Sequence, residues 1–153
     1  MTDNDAIRPD PDELLKSLKK TQDREKGGKL KIFLGMSAGA GKTYAMLNEG
    51  NRRKLRGEDI ILGYAESHGR ADTDKQIGSL EVVPRKKIEY SGKVMEEMDT
   101  GAIIKRHPIT VLVDELAHTN VPGSKNNKRY EDVYEILDAG INVITTLLSL
   151  IHI

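Results

Sequence analysis

The sequence is most informative at residues 30–43, which read LKIFLGMSAGAGKT. The apolar start predicts a short strand, and the glycine-rich turn after it leads into a helix-forming segment. Glycines let successive backbone N–H groups point at a phosphate chain, and the helix N-terminus adds positive potential at the same place. This arrangement is typical of a P-loop, the phosphate-binding turn of many nucleotide-binding proteins.

The polar residues of this turn have distinct predicted tasks. Lys42 can reach the terminal phosphates, and the Thr43 hydroxyl can ligate Mg²⁺. Met36 stands where the strict pattern has glycine, and Gly35 lies one place earlier, so the entry to the loop is altered. A glycine-rich turn with an incidental lysine is the structural alternative. The predicted nucleotide-binding residues of the turn are Gly35, Ser37, Gly39, Gly41, Lys42 and Thr43.

An acidic pair follows the apolar stretch 109–113. If this stretch is a buried strand, Asp114 lies at the carboxyl edge of a sheet, where it can hold a water of a Mg²⁺ ion that Thr43 also ligates. We expect the two residues to come from adjacent positions of that edge. Glu115 can orient or deprotonate an attacking water, and is therefore a possible catalytic residue. A solvated carboxylate at a strand end is the structural alternative for Glu115.

Strand-like and helix-like segments alternate along the chain. Strands are predicted at Leu30–Leu34, Ile60–Tyr64, Lys87–Tyr90, Val111–Val113 and Ile141–Thr145. Helices are predicted from Asp10-Pro11 to Gly27-Gly28, and at Tyr44–Arg56, Thr73–Leu80, Val94–Lys105 and Tyr130–Ala139. The alternation predicts an α/β fold of the P-loop NTPase type, with a mostly parallel sheet and helices on both faces. We divide the chain into a polar tail and amphipathic helix (1–28), a nucleotide-binding domain (29–147) and a terminal hexapeptide (148–153).

Further polar residues stand in predicted loops. Arg70 could bind a phosphate and His68 could respond to charge, although a structural capping role suits both equally well. His118 is more typical of a hydrogen-bond anchor than of a catalyst. The segment 125–129, which contains Lys125, Lys128 and Arg129, predicts a solvated basic loop.

The composition of the chain excludes several classes of protein. Lys and Arg total 24 and Asp and Glu total 24, so the net charge is zero and indicates no nucleic-acid partner. Cysteine is absent, which suits a reducing cytoplasm. The sequence contains neither a secretory signal nor an apolar run long enough to insert in a membrane. We therefore expect a cytoplasmic segment.

Several segments together resemble the N-terminal cytoplasmic domain of KdpD-type osmosensitive potassium-channel sensor histidine kinases. They include RPDPDELL at residues 8–15, the P-loop, the segment ESHGR at 66–70 and VPRK at 83–86. The run DELAHTN at 114–120 is highly specific, and PGS at 122–124 follows it. Ser67 stands where the family usually has threonine. The resemblance covers about residues 8–146.

The resemblance implies ATP and Mg²⁺ binding in a regulatory role, within a two-component kinase that controls potassium uptake. The parent would lie in the plasma membrane, and its remaining domains would be the partners of this segment. No histidine stands in a segment like the family's phospho-acceptor site, so at most binding or slow hydrolysis of ATP is expected here. The terminal Leu148–Ile153 departs from the family and matches a reading frame of a sequencing adapter, so we expect it to be non-native.

Two alternatives to this function stay open. A free-standing small P-loop NTPase or kinase would use the same loop together with Asp114 and Glu115. An interaction module with a vestigial loop is disfavoured by the intact Gly41-Lys42-Thr43.

Overall fold

The computed structural model describes residues 10–24, 27–35 and 40–148. Within them, the helices are α1 (Pro11–Arg24), α2 (Ala40–Leu55), α3 (Ala71–Gln76), α4 (Thr100–Arg106) and α5 (Arg129–Asp138). The strands are β1 (Leu30–Gly35), β2 (Ile60–Tyr64), β3 (Glu81–Val82), β4 (Lys86–Tyr90), β5 (Lys93–Glu97), β6 (Thr110–Val113) and β7 (Asn142–Leu148). Most of the predicted elements are therefore present, and β2 has the predicted bounds.

The main sheet is parallel throughout and has the strand order β1-β7-β6-β2-β3. Strand β1 pairs along its length with β7, from Leu30 opposite Val143 to Gly35 opposite Leu148. The α/β class and the mostly parallel sheet are confirmed. Parallel strands need crossover connections, and helices supply most of them here.

Both faces of the sheet are covered, because neighbouring residues of each strand point to opposite faces. In β2, Ile61 packs in the core that includes Ile103 of α4 and Ile136 of α5. Leu62 packs on the other face with Met46 of α2. The prediction of helices on both faces is thus confirmed, with α2 on one side and α4 and α5 on the other.

The predicted helix Val94–Lys105 is wrong in its first half. Residues 93–97 form β5, which pairs antiparallel with β4 in a separate two-stranded sheet, and the helix begins only at Thr100. Ser91 (φ 51°) and Gly92 (φ 75°) make the two-residue turn between the strands. Two consecutive left-handed residues are the geometry that favours a tight hairpin, and this turn outweighs the helix propensity of the Met and Glu residues that follow.

The start of α1 is capped as predicted. The end of the chain is only partly described. The Asp10 carboxylate accepts a hydrogen bond from the Asp12 N–H, which caps the start of α1. Leu148 is the last residue of β7, and residues 149–153 lie outside the described part of the chain. In the part that is described, no helix combines the length and the apolar character that a membrane crossing needs.

Candidate functional site

The carboxyl ends of β1, β7, β6 and β2 meet at one edge of the sheet, because these strands are parallel. Gly35 ends β1, and Lys42 and Thr43 lie in the first turn of α2, which follows it. Asp114 comes directly after β6. The predicted residues Ser37 and Gly39, and with them Met36, lie outside the described residues.

Thr43 and Asp114 are in direct contact, although 71 positions separate them in sequence. The Thr43 hydroxyl donates a hydrogen bond of 2.8 Å to Asp114 Oδ2. We expected the strands that precede these two residues to be adjacent. This expectation is wrong, because β7 lies between β1 and β6. The contact forms nonetheless because α2 packs against both β7 and β6.

The Asp114 carboxylate is buried, with 1% of the residue exposed. Besides Thr43, its donors are the backbone N–H groups of Glu66 (2.9 Å) and Glu115 (3.1 Å) and the hydroxyl of Thr146. All four donors are uncharged. A buried carboxylate needs such bonds to offset the loss of water, and these fix the orientation of the group without compensating its charge.

Lys42 lies across the end of β1. A methyl group at Gly35 would come 2.7 Å from Lys42 Cδ and 3.4 Å from its Nζ, so a larger residue at position 35 would displace the lysine. This close approach gives Gly35 a specific reason to be glycine.

Glu115 adopts an unusual backbone conformation. Its φ is 58°, in the left-handed region that costs a non-glycine residue about 1 kcal/mol. His68, in the loop after β2, has φ 53°, and its Nε2 lies 3.5 Å from Glu115 Oε2. The strained turn directs the Glu115 carboxylate toward His68, at the same sheet edge as Asp114.

Thr146 is a site residue that the sequence analysis missed. It lies in β7, is buried, and accepts a 2.9 Å hydrogen bond from the Glu115 N–H while donating to Asp114. The available signal was a pair of hydroxyl residues, Thr145 and Thr146, inside an otherwise apolar strand. The Glu66 N–H carried no signal at all, because a backbone donor leaves none in the sequence.

Arg70 lies beside the start of α2. It directly precedes α3 and lines an open groove of about 860 Å³ together with Gly41 and Tyr44 of α2. Arg70 makes no hydrogen bond or ion pair with its side chain to any residue that the structure describes. The structure therefore brings Arg70 near the start of α2, and no hydrogen bond or ion pair joins it to Asp114 among the described residues.

The prediction of a solvated basic loop is wrong for Lys128 and Arg129, which are both buried. Arg129, with 0% exposed, donates from one nitrogen to the Asp114 carbonyl at 3.0 Å and from another to Glu97 Oε1 at 3.2 Å. Its guanidinium also stacks on Tyr64, 3.9 Å from the ring centre. The buried acceptors of distant segments explain the burial, and the local sequence does not reveal them.

His118 is the hydrogen-bond anchor that the sequence analysis expected. Its Nε2 lies 3.0 Å from both carboxylate oxygens of Glu97. Burial raises the pKa of Glu97, but the hydrogen bonds from His118 and the Val121 N–H and the charge of Arg129 outweigh it and leave this pKa below its usual value. Burial raises the pKa of Asp132, whose carboxylate accepts hydrogen bonds from the side-chain amides of Asn120 and Asn126.

The comparisons with known proteins all indicate the same family. Residues 26–153 match the family KdpD, described as the osmosensitive K⁺ channel His kinase sensor domain. The chain is 54% identical over 122 residues to the sensor protein KdpD of Mycobacterium tuberculosis, an alignment that covers 80% of this chain and 14% of that protein. It is 46% identical over 144 residues to the sensor protein KdpD of Escherichia coli, covering 94% of this chain and 16% of that protein.

A putative sensor protein KdpD of Synechocystis is 52% identical over 120 residues, with 78% of this chain and 32% of that protein covered. The chain thus spans 14 to 16% of the length of the first two relatives.

Proposed function

The chain belongs to the KdpD family of sensor domains, and from this we propose that it is a P-loop NTPase-like, ATP-binding regulatory domain of a longer sensor histidine kinase that controls potassium uptake. The parent protein would lie in the plasma membrane, with this domain on the cytoplasmic side, where ATP is available. Its partners would be ATP and the remaining domains of the parent. Fractionation of cells that express the parent tests the location: recovery of this domain outside the cytoplasmic face would contradict it.

One observation carries the proposal, namely the 2.8 Å hydrogen bond between Thr43 Oγ1 and Asp114 Oδ2. It places a hydroxyl from the glycine-rich turn beside a carboxylate at the end of a buried parallel strand. Ligands of open α/β sheets bind outside the carboxyl ends of the strands, which is where both groups lie. Lys42, folded across the end of β1, is well placed to reach phosphates there.

The side-chain oxygen atoms at this edge are suitable ligands for Mg²⁺. Magnesium prefers oxygen ligands and usually keeps several waters when it binds with substrate phosphates. Thr43 and Asp114 supply a hydroxyl and a charged carboxylate whose donors are neutral. The described residues contain no cluster of three carboxylate or histidine ligands, and an ion held partly by phosphates needs none. Bound Mg²⁺ would neutralise the phosphate charge, and Thr43 and Asp114 would hold it.

Titration of the purified domain with ATP, with and without Mg²⁺, tests the proposal. Lys42→Ala should weaken ATP binding by about 2–5 kcal/mol, the usual cost of removing one partner of a desolvated charge pair. Lys105→Ala, which removes an exposed lysine of α4, is the matched control and should leave the affinity unchanged. Equal ATP affinity in the Lys42 variant and the unmodified domain would rule out this site.

Glu115 favours a second candidate function, a slow ATPase. Its carboxylate lies at the same edge as Asp114 and is partly exposed beside His68. A carboxylate there can orient or deprotonate a water that attacks the terminal phosphate. Steady-state assays separate the two functions, because clear binding with negligible turnover supports regulation alone. Sustained turnover would support the ATPase, including the reading as a free-standing NTPase or kinase.

A further inference from the structure

The groove beside the start of α2 is lined by side chains that suit a nucleoside. Its volume is about 860 Å³, within the usual range of ligand pockets. One wall is the start of α2, with Gly41 and Tyr44, and the other is α3, with Asp72 and Gln76, preceded by Arg70. It therefore adjoins the start of α2, where Lys42 and Thr43 are assigned to the phosphates and Mg²⁺.

Tyr44 is an aromatic residue that lines this groove. It follows Thr43, and a step of one residue turns a helix by about 100°, so the two side chains point in different directions. Thr43 is buried against Asp114, whereas 44% of Tyr44 is exposed. The exposed ring of Tyr44, one residue after the proposed Mg²⁺ ligand Thr43, is suitably placed to stack on a base.

The second wall is fixed to the first by hydrogen bonds. Gln76 Nε2 of α3 donates to Asn48 Oδ1 of α2 at 3.1 Å, and Asn51 Nδ2 donates to the Gln76 carbonyl at 2.6 Å. Thr73, within α3, is buried. The groove is thus formed by packed elements, and a ligand would not need to separate the two helices.

The charges at the rim suit the ribose and phosphates of a nucleotide. Arg70 and Lys75 bring positive charge, and neither is ion-paired with any residue described by the structure. The Asp72 carboxylate can accept hydrogen bonds from ribose hydroxyls. An aromatic ring, cations and a hydroxyl acceptor along one groove together match a nucleoside phosphate.

We propose that this groove binds the adenosine part of ATP, with the base stacked on Tyr44. The inference rests on the proposed function, because it assigns the phosphates of the same ligand to the P-loop. It adds a residue that determines which ligand binds: Tyr44 recognises the base, whereas Lys42 recognises the phosphates. Tyr44 should therefore distinguish ATP from a triphosphate that has no nucleoside.

The test compares binding of MgATP and of magnesium tripolyphosphate to four variants of the full chain. Tyr44→Ala should weaken MgATP about tenfold, in line with the usual contribution of base–aromatic stacking, and leave tripolyphosphate within about twofold. Tyr44→Phe should bind both ligands normally. Tyr90→Ala removes a tyrosine that is exposed to a similar extent (49%) on the β4–β5 hairpin, and should also bind both normally. Lys42→Ala should weaken both ligands.

The outcomes separate this inference from the proposed function. If Tyr44→Ala binds ATP normally, or loses both ligands equally while its melting temperature is unchanged, the base does not stack on Tyr44 and the inference is overturned. The P-loop assignment survives in that case as long as Lys42→Ala weakens both ligands. If the unmodified chain binds neither ligand, the proposed function fails and the groove assignment fails with it.

Discussion

Two buried carboxylates, Asp114 and Glu97, are stabilised in different ways. Asp114 (1% exposed) accepts hydrogen bonds from two hydroxyls and two backbone N–H groups, all uncharged. Glu97 (4% exposed) is bound by the Arg129 guanidinium and the His118 ring. Neutral donors orient a carboxylate but leave its charge available to an incoming cation, whereas the protein's own cation compensates Glu97. This difference suggests a ligand-binding role for Asp114 and a structural role for Glu97.

The two carboxylates are linked through the most distinctive run of the sequence, residues 114–120. Asp114 and Glu115 lie at the sheet edge, and His118 anchors the following loop to Glu97. Arg129 connects both regions, because it bonds the Asp114 carbonyl and Glu97 together. A single motif therefore contains candidate ligand-binding residues and the residues that support them.

The largest effect should come from removing the cation of the structural region. Arg129→Ala leaves Glu97 buried without its guanidinium and removes a donor from the Asp114 carbonyl, so we expect a loss of about 3–5 kcal/mol in the free energy of unfolding. Urea denaturation measures it. Arg56→Ala, an exposed arginine near the end of α2, should cost less than about 1 kcal/mol. Similar losses in the two variants would mean that the buried ion pair does not support the fold.

The Asp114 region should respond in affinity for the magnesium complex. Thr43→Val and Asp114→Asn should each weaken MgATP binding by about 2 kcal/mol, with little effect on metal-free ATP. Because both groups would hold one ion, their effects should not add. The measurement is a double-mutant cycle, with Asp114→Asn and Lys105→Ala as an additive control pair. Strictly additive losses for Thr43 and Asp114 would show that they share no metal.

Acid pH should affect the structural region through Glu97. Its folded-state pKa is lowered, so it contributes stability that is fully present above its unfolded pKa and is lost as pH falls through the folded value. Asp132 acts in the opposite sense: its pKa is raised by burial, so its contribution is present at low pH and is lost as pH rises through its folded value.

These signs predict two different acid profiles. Glu97→Gln should flatten the fall of unfolding free energy below about pH 4, near the ordinary pKa of a glutamate. Asp132→Asn should steepen the same fall, because it removes the group that opposes it. Urea denaturation at a series of pH values measures both. The same slope in both variants and in the unmodified protein would exclude these residues as determinants of acid stability.

The smallest effect on binding is expected at Glu115. Glu115→Gln keeps the size of the side chain and removes its charge, so MgATP affinity should stay within about twofold while any turnover falls. In the regulatory role, this variant would retain bound ATP and bias signalling in the complete kinase. Parallel binding and phosphate-release assays make the measurement, and a large loss of affinity would instead make Glu115 a binding residue.

Local sequence was sufficient for much of the fold and for part of the site. Alternating apolar segments predicted β2 with its bounds, and the position of the glycine-rich turn between β1 and α2 was apparent from residues 30–43. The acidic pair after β6 was equally visible. The β4–β5 hairpin was missed because a two-residue turn at Ser91 and Gly92 is a weak signal beside several helix-favouring residues.

By itself, the sequence determined the mostly parallel α/β class and predicted which residues could bind phosphate and metal, because both depend on patterns within a few residues. Only the tertiary structure decided that β7 separates β1 from β6, that Thr146 supports Asp114, and that Arg129 is buried. These facts depend on pairings between segments far apart in the chain. Hydrophobic periodicity reports which face of an element is buried, but the element that covers that face is chosen by the packing of the whole domain.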